Sequence, residues 1–178
     1  MKASSLFRSY KEKYNNSVSL PETISPSRTP HPSQTMATNN LPHLQRFTEF
    51  INSGDTKIGQ EVISDSAIFH VPFGPEPLKG LDGYLHILGM MRGAFTDINW
   101  TLQETISEGD KVVARFETRG THKGDFRGVP ASGKTFCMTA LNIYRFADGK
   151  IVEEREQPDI FGLMMQIGAI PGPPPPSA

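Results

Sequence analysis

In "LPHLQRFTEFINSG", apolar residues recur three and four positions apart, so Leu41, Leu44, Phe47, Phe50 and Ile51 share one face of a helix that Gly54 stops. "KIGQEVISD" continues as a second short helix, and "AIFHVPF" reads as a strand ended by Pro72. "GLDGYLHILGMMRGAF" returns to helical spacing, with Leu81, Tyr84, Leu85, Leu88, Met91 and Phe95 as its stripe. Four strand-like runs follow: "INWTLQETISEGD", "KVVARFETRGTHKG", "KTFCMTALNIYRF" and "KIVEEREQ". They are separated by the turn signals "EGD" and "DG" and by one longer loop, "DFRGVPASG". A last apolar series predicts a helix from Ile160 to about Ile167.

Helices first, a run of antiparallel strands next and one closing helix define an α+β domain. A curved, mostly antiparallel sheet wrapped around the N-terminal helices leaves a cone-shaped apolar pocket. In residues 136–146 one strand face carries Phe136, Met138, Ala140, Asn142, Tyr144 and Phe146, and the other carries Cys137, Thr139, Leu141, Ile143 and Arg145. Neither face is purely polar. One is expected to meet the helices and the pocket, and the other a partner sheet, which makes a homodimer through sheet faces the expected assembly. The folded part spans 41–170. Residues 1–40, rich in Ser, Thr, Asn and Pro, form a leader too poor in apolar area to offset its ordering entropy, and 171–178 a Pro-rich extended tail.

Composition narrows the function classes. The chain is 37% hydrophobic, without an apolar run near the roughly 18 residues a membrane span needs and without the apolar core of a secretory signal. Net charge is −1, but residues 1–36 carry five basic and two acidic residues, leaving the remainder acidic. An acidic domain has no electrostatic footprint for nucleic acid. The single cysteine, Cys137, rules out an internal disulfide and fits a reducing, cytoplasmic setting, where it reads as a small buried hydrophobe.

Candidate chemistry centres on "EEREQPDIFGLMMQIG". Asp159 stands directly before the closing helix, where aspartate is a favoured cap. A carboxylate at the mouth of an apolar cavity is also a usable proton carrier, because desolvation disfavours its charged form. Both readings stay open at this stage. "GVPASGKT" lacks the spacing of a phosphate loop and joins two strands. The five histidines form no metal-ligand pattern and no dinucleotide fingerprint is present, so neither a metal nor a cofactor is expected.

Taken in order, "GTHKGDFRGVPASGK", "YRFADGKIVEE" and "DIFGLMMQIG" resemble the SnoaL-like polyketide cyclase family of the NTF2-like superfamily, over about residues 41–170. The resemblance implies an NTF2-like cone and a cofactor-free, aldol-type ring closure on a small lipophilic polyketide-like substrate in secondary metabolism. It implies Asp159 as the acid/base carboxylate. Two positions depart from the family pattern: Arg155 stands where many relatives have Trp, and Glu154 where many have His. His70 and His122 are candidates to orient a substrate carbonyl. Asn142 and Tyr144 are candidate hydrogen-bond donors to a developing oxyanion, Trp100 is a pocket wall, and an inward Arg155 would bind an anionic or enolised substrate. The same pocket would also suit a dehydratase or isomerase, an epoxide-opening hydrolase, or a ligand-binding or dimerisation module without catalysis.

Overall fold

A computed structural model describes residues 39–172; the expected leader and tail lie outside the described residues, except at their inner ends. The elements run α1 (Leu41–Ser53), α2 (Thr56–Val62), β1 (Ile63–His70), β2 (Leu78–Lys79), α3 (Gly80–Ala94), β3 (Asn99–Glu108), β4 (Lys111–Thr121), β5 (Thr135–Ala147), β6 (Lys150–Pro158) and α4 (Ile160–Ile167). α1 carries a proline in its first turn and ends where Gly54, at φ 72°, donates its N–H to the Phe50 carbonyl. Asp55 then caps α2 by accepting the Lys57 N–H at 2.9 Å. No helix among the described residues is long and apolar enough to cross a membrane.

One six-stranded sheet runs in the order β2-β1-β6-β5-β4-β3. β1 lies parallel to β6 and every other pairing is antiparallel, as an α+β cone requires. The pairing register shifts inside β3 and inside β6. Leu102 faces Phe116 while Glu104 faces Arg115, and Ile151 faces Phe146 while Glu153 faces Arg145. Each shift leaves one strand with an extra residue, Gln103 or Val152. Such bulges bend and twist a strand, curling the sheet around the helices. They also move the residues beyond them to the opposite face.

The concave face buries two separate apolar clusters. In the first, Phe47 and Phe50 of α1 pack with Tyr84 of α3, Phe69 of β1 and Tyr144 of β5; Phe47 lies 5.2 Å from Tyr84 and 5.5 Å from Tyr144. The second gathers Phe95, Phe126, Phe136 and Met138 with Leu163 and Ile167 of α4. Trp100, Val71 and Leu78 are half-buried and touch both. Of the two β5 faces that alternation separates, the one with Phe136, Met138, Ala140, Asn142, Tyr144 and Phe146 turns inward. Cys137 corrects an expectation, since it pairs with Arg119 on the outer face and is only half-buried.

Two side-chain amides extend the sheet where strands run out. Gln166 of α4 accepts the Cys137 N–H at 2.8 Å and donates to its carbonyl at 3.0 Å. Asn52 of α1 does the same for Trp100 on the edge strand β3, at 2.9 and 2.7 Å. Each imitates a neighbouring strand and satisfies backbone groups that would otherwise be orphaned. Asn52→Ala should therefore destabilise the fold by about 1–3 kcal/mol, read from the midpoint of urea unfolding.

Candidate active site

The register of β5 against β6 builds a square of polar side chains on the concave face. Glu156 pairs with Asn142, and Glu154 pairs with Tyr144. Directly opposed residues on one face bring their Cβ atoms to about 5 Å. Asn142 reaches diagonally: its Nδ2 donates to Glu154 Oε1 at 2.8 Å and to the Tyr144 hydroxyl at 3.0 Å. Glu154 is 1% exposed, Asn142 and Tyr144 are buried, and Glu156 is half-buried. The Val152 bulge is the local cause. Continued alternation from the buried Ile151 would send Glu153 and Arg155 inward; the extra residue sends Glu154 and Glu156 there instead.

The centre lies where the two apolar clusters meet, so both carboxyls lose hydration without gaining a cation. Arg145 and Arg155 pair with Glu153 on the opposite face, at 3.1 and 2.7 Å. Burial, aided by the charge of Glu156, pushes the Glu154 carboxyl up to about 8, against hydrogen bonds from Tyr144 and Asn142 that pull it down. Burial likewise pushes Glu156 up to about 7. Tyr84 and Tyr144, buried beside these carboxyls, are held well above the ordinary phenol range, mainly by desolvation. Within the centre, Glu154 Oε2 and Asn142 Oδ1 are buried acceptors without a partner. The concave face thus carries a polar, proton-carrying patch between its apolar clusters.

The structure brings together only part of the set expected from sequence. Asn142 and Tyr144 sit in the centre, and Trp100 stands half-buried on the concave face, 5.8 Å from the Arg92 guanidinium. Asp159 is exposed on the other side, beside a shallow hollow of about 240 Å³ lined by Arg115, Thr139, Leu141 and Gln157. Its Oδ1 accepts the Gly162 N–H at 2.8 Å, so it caps α4. A Cβ on Gly162 would collide with that carboxylate, which explains the Asp-x-x-Gly spacing physically. His70 lies on the outer face with Glu153, 3.4 Å from its carboxylate.

His122 is fully buried within the second cluster. Its ring packs on Phe95 at 5.4 Å, and its Nδ1 lies 3.1 Å from the Ser132 hydroxyl. Arg155 points outward, since the bulge gave its inward place to Glu154 and Glu156. Those two glutamates and Tyr84 are the residues that sequence reasoning missed as a site. The available signal was acidic residues two apart in the same run as a buried isoleucine, but alternation alone assigns the wrong parity. Among the described residues no cluster of His, Cys, Asp and Glu is placed to hold a metal ion.

Raised carboxyl pKa values make stability depend on pH. Both glutamates bind their proton more tightly folded than unfolded. Their stabilising contribution is complete below the ordinary value of 4.5 and is lost as pH rises through about 7 and about 8. Glu154→Gln, neutral throughout, should match the wild type in thermal midpoint near pH 5 and melt several degrees higher at pH 9. Calorimetry across that range checks it.

Comparison with known proteins agrees with this fold. The sequence model of the SnoaL-like polyketide cyclase family matches residues 42–167. Aklanonic acid methyl ester cyclase DnrD of Streptomyces peucetius is 30% identical over 132 residues, 70% of this chain and 88% of the relative. Aklanonic acid methyl ester cyclase AcmA of Streptomyces galilaeus is 36% identical over 126 residues, with coverage of 70% and 88%. The crystal structure of IdmH from Streptomyces antibioticus superposes with a TM-score of 0.66 at 32% identity, covering 73% of this chain and 99% of that one. With its curved mixed sheet, its N-terminal helices and a family match over nearly all the described residues, the chain belongs to the SnoaL-like polyketide cyclase family.

Proposed function

We propose that this protein closes a ring on a polyketide-like ester by an intramolecular aldol reaction, through acid/base catalysis without a cofactor. The carrying observation is the pair of glutamates, Glu154 and Glu156, on the concave face between two apolar clusters, beside Asn142 and Tyr144. The named activity of relatives such as DnrD and AcmA supports the substrate class. A methylene flanked by two carbonyls is acidic enough for a carboxylate whose pKa has been lifted toward neutrality. Glu156, half-buried and therefore reachable, removes that proton. The apolar walls, Trp100 among them, exclude water and hold the chain folded so that the carbanion meets a ketone carbon. The new alkoxide then takes the proton back from Glu156, and the product is an isomer of the substrate.

Asp159 is the carboxylate to which the family motif points, and it would have to release the Gly162 N–H and turn from solvent to take this role. We assign it the cap and give the proton to Glu156. His70, His122 and Arg155 act at a distance from the reacting atoms, as outer-face or packing residues.

A second copy of the chain is the proposed occupant of the convex face. Ile106, Val113 and Ile143 form one cross-strand row, with Leu141 beside it; Ile106 is 66%, Leu141 51% and Ile143 44% exposed. Arg115 with Glu104 and Arg145 with Glu153 flank the apolar strip with both signs of charge, as a self-complementary two-fold contact needs.

Incubation with aklanonic acid methyl ester, followed by mass spectrometry and chromatography, should give a cyclised product of unchanged mass. Glu156→Gln should lower turnover by about 10²- to 10⁴-fold. Asp159→Asn should leave the rate within a few-fold of wild type, with stability reduced by about 1 kcal/mol or less. Loss of turnover in Asp159→Asn with Glu156→Gln active would return the proton to Asp159. Light scattering should give a dimer for wild type and a monomer for Ile143→Glu; a monomeric wild type would discard the second copy.

A further inference from the structure

We propose that the two glutamates are an unequal pair: Glu154 stays a neutral carboxylic acid and donates a hydrogen bond to the enol or enolate oxygen of a 1,3-dicarbonyl, while Glu156 carries the travelling proton. This deepens the cyclase reading and rests on it. The two positions differ in access. Glu154 is sealed under the first apolar cluster, next to Phe69 on β1 and Tyr144 on β5, whereas Glu156, one pair further along, is half-buried.

Burial and the neighbouring Glu156 favour the neutral form of Glu154, and they outweigh the hydrogen bonds from Tyr144 and Asn142, which pull the other way. α3 contributes the Tyr84 phenol, β5 contributes Tyr144 and Asn142, β6 contributes Glu156, and β1 contributes only the apolar ring of Phe69. No cation is among them. Arg145 and Arg155 are engaged by Glu153 across the sheet. Two carboxylates on neighbouring positions of one dry strand face cannot both be charged without a large penalty, so the deeper one keeps its proton.

The unfilled hydrogen-bond positions specify what such a pair receives. Glu154 Oε1 already accepts from Asn142, while Glu154 Oε2 and Asn142 Oδ1 are buried without partners. With Glu154 protonated on Oε2, the patch offers one donor, Oε2–H, and one acceptor, Asn142 Oδ1. An enolised 1,3-dicarbonyl presents the complement: one carbonyl oxygen that accepts and one enol O–H that donates. A simple ketone or alcohol would leave one of the two positions unsatisfied, at a cost that discriminates between substrates.

The proton count closes. Glu156 carboxylate takes the acidic proton of the 1,3-dicarbonyl, from the methylene of its keto tautomer or the O–H of its enol, and the electron pair of the broken bond passes into the same enolate. Glu154 O–H stabilises the enolate oxygen without transferring its proton. The enolate carbon forms the new C–C bond as the ketone C=O π bond opens, and Glu156 returns its proton to the alkoxide. Both carboxyls end as they began.

Glutamine separates the roles, because its amide keeps a neutral donor where a carboxylic acid stands. Glu154→Gln should retain turnover within about 10-fold, Glu154→Met should lose about 10²-fold or more, and Glu156→Gln should match the latter or fall lower. Wild-type kcat/KM should rise as Glu156 ionises near pH 7 and fall as Glu154 loses its proton near pH 8, and the falling limb should vanish in Glu154→Gln. Carbon-13 carboxyl resonances of glutamate-labelled, ligand-free protein read the protonation states without turnover. The signal missing in Glu154→Gln should titrate near 8. Titration of that signal near 4–5, or inactivity of a folded Glu154→Gln equal to that of Glu156→Gln, would overturn the neutral-acid role. A wild type that shows the raised titration but cyclises no 1,3-dicarbonyl would overturn the cyclase reading instead.

Discussion

One extra residue in β6 decides what the concave face can do. Strand alternation permits two faces, and the core fixes Ile151 and Phe146 on the inner one. Without Val152 as a bulge, Arg155 would be driven inward with Glu153 and the interior would hold an ion pair. With it, Arg155 and Glu153 pair on the outside, and two glutamates enter a space without a counter-cation. The same distortion bends the strand around the helices. Curvature and chemistry therefore have one origin.

Placing carboxyls there is unfavourable for folding, and the surrounding architecture offsets it. Two aromatic-rich clusters on either side supply burial, at roughly 25 cal/mol per Å² of apolar surface. Asn142 ties Glu154 to Tyr144 and limits the number of unsatisfied groups. Two of the buried polar atoms left without a partner, Glu154 Oε2 and Asn142 Oδ1, lie at the centre of the site. Buried polar atoms left open in this way are where a folded protein gives up stability for function. The gain is a carboxyl held near neutrality beside one that stays protonated.

Scaffold devices hold the site from outside it. Asn52 closes the exposed backbone of edge strand β3 and Gln166 that of β5 beyond the end of β6, and Arg92 caps the end of α1 by donating to the carbonyls of Ile51 and Asn52. Asp159 belongs with them. Its place before a helix and three residues ahead of Gly162 makes it a good cap, and its carboxylate holds the Gly162 N–H.

Much of this molecule was legible along the chain. Helical spacing located α1, α3 and α4, period-two runs located the strands, and the alternation of 136–146 put Asn142 and Tyr144 on one face of β5. These are local properties, fixed by backbone period and by which residues prefer water. The parallel pairing of β1 with β6, the two-residue β2 and the inward turn of Glu154 and Glu156 were decided only by tertiary structure. A bulge costs little in either strand alone; its position is settled by how the paired strands close over the core, and one residue of register exchanges every side chain between water and interior.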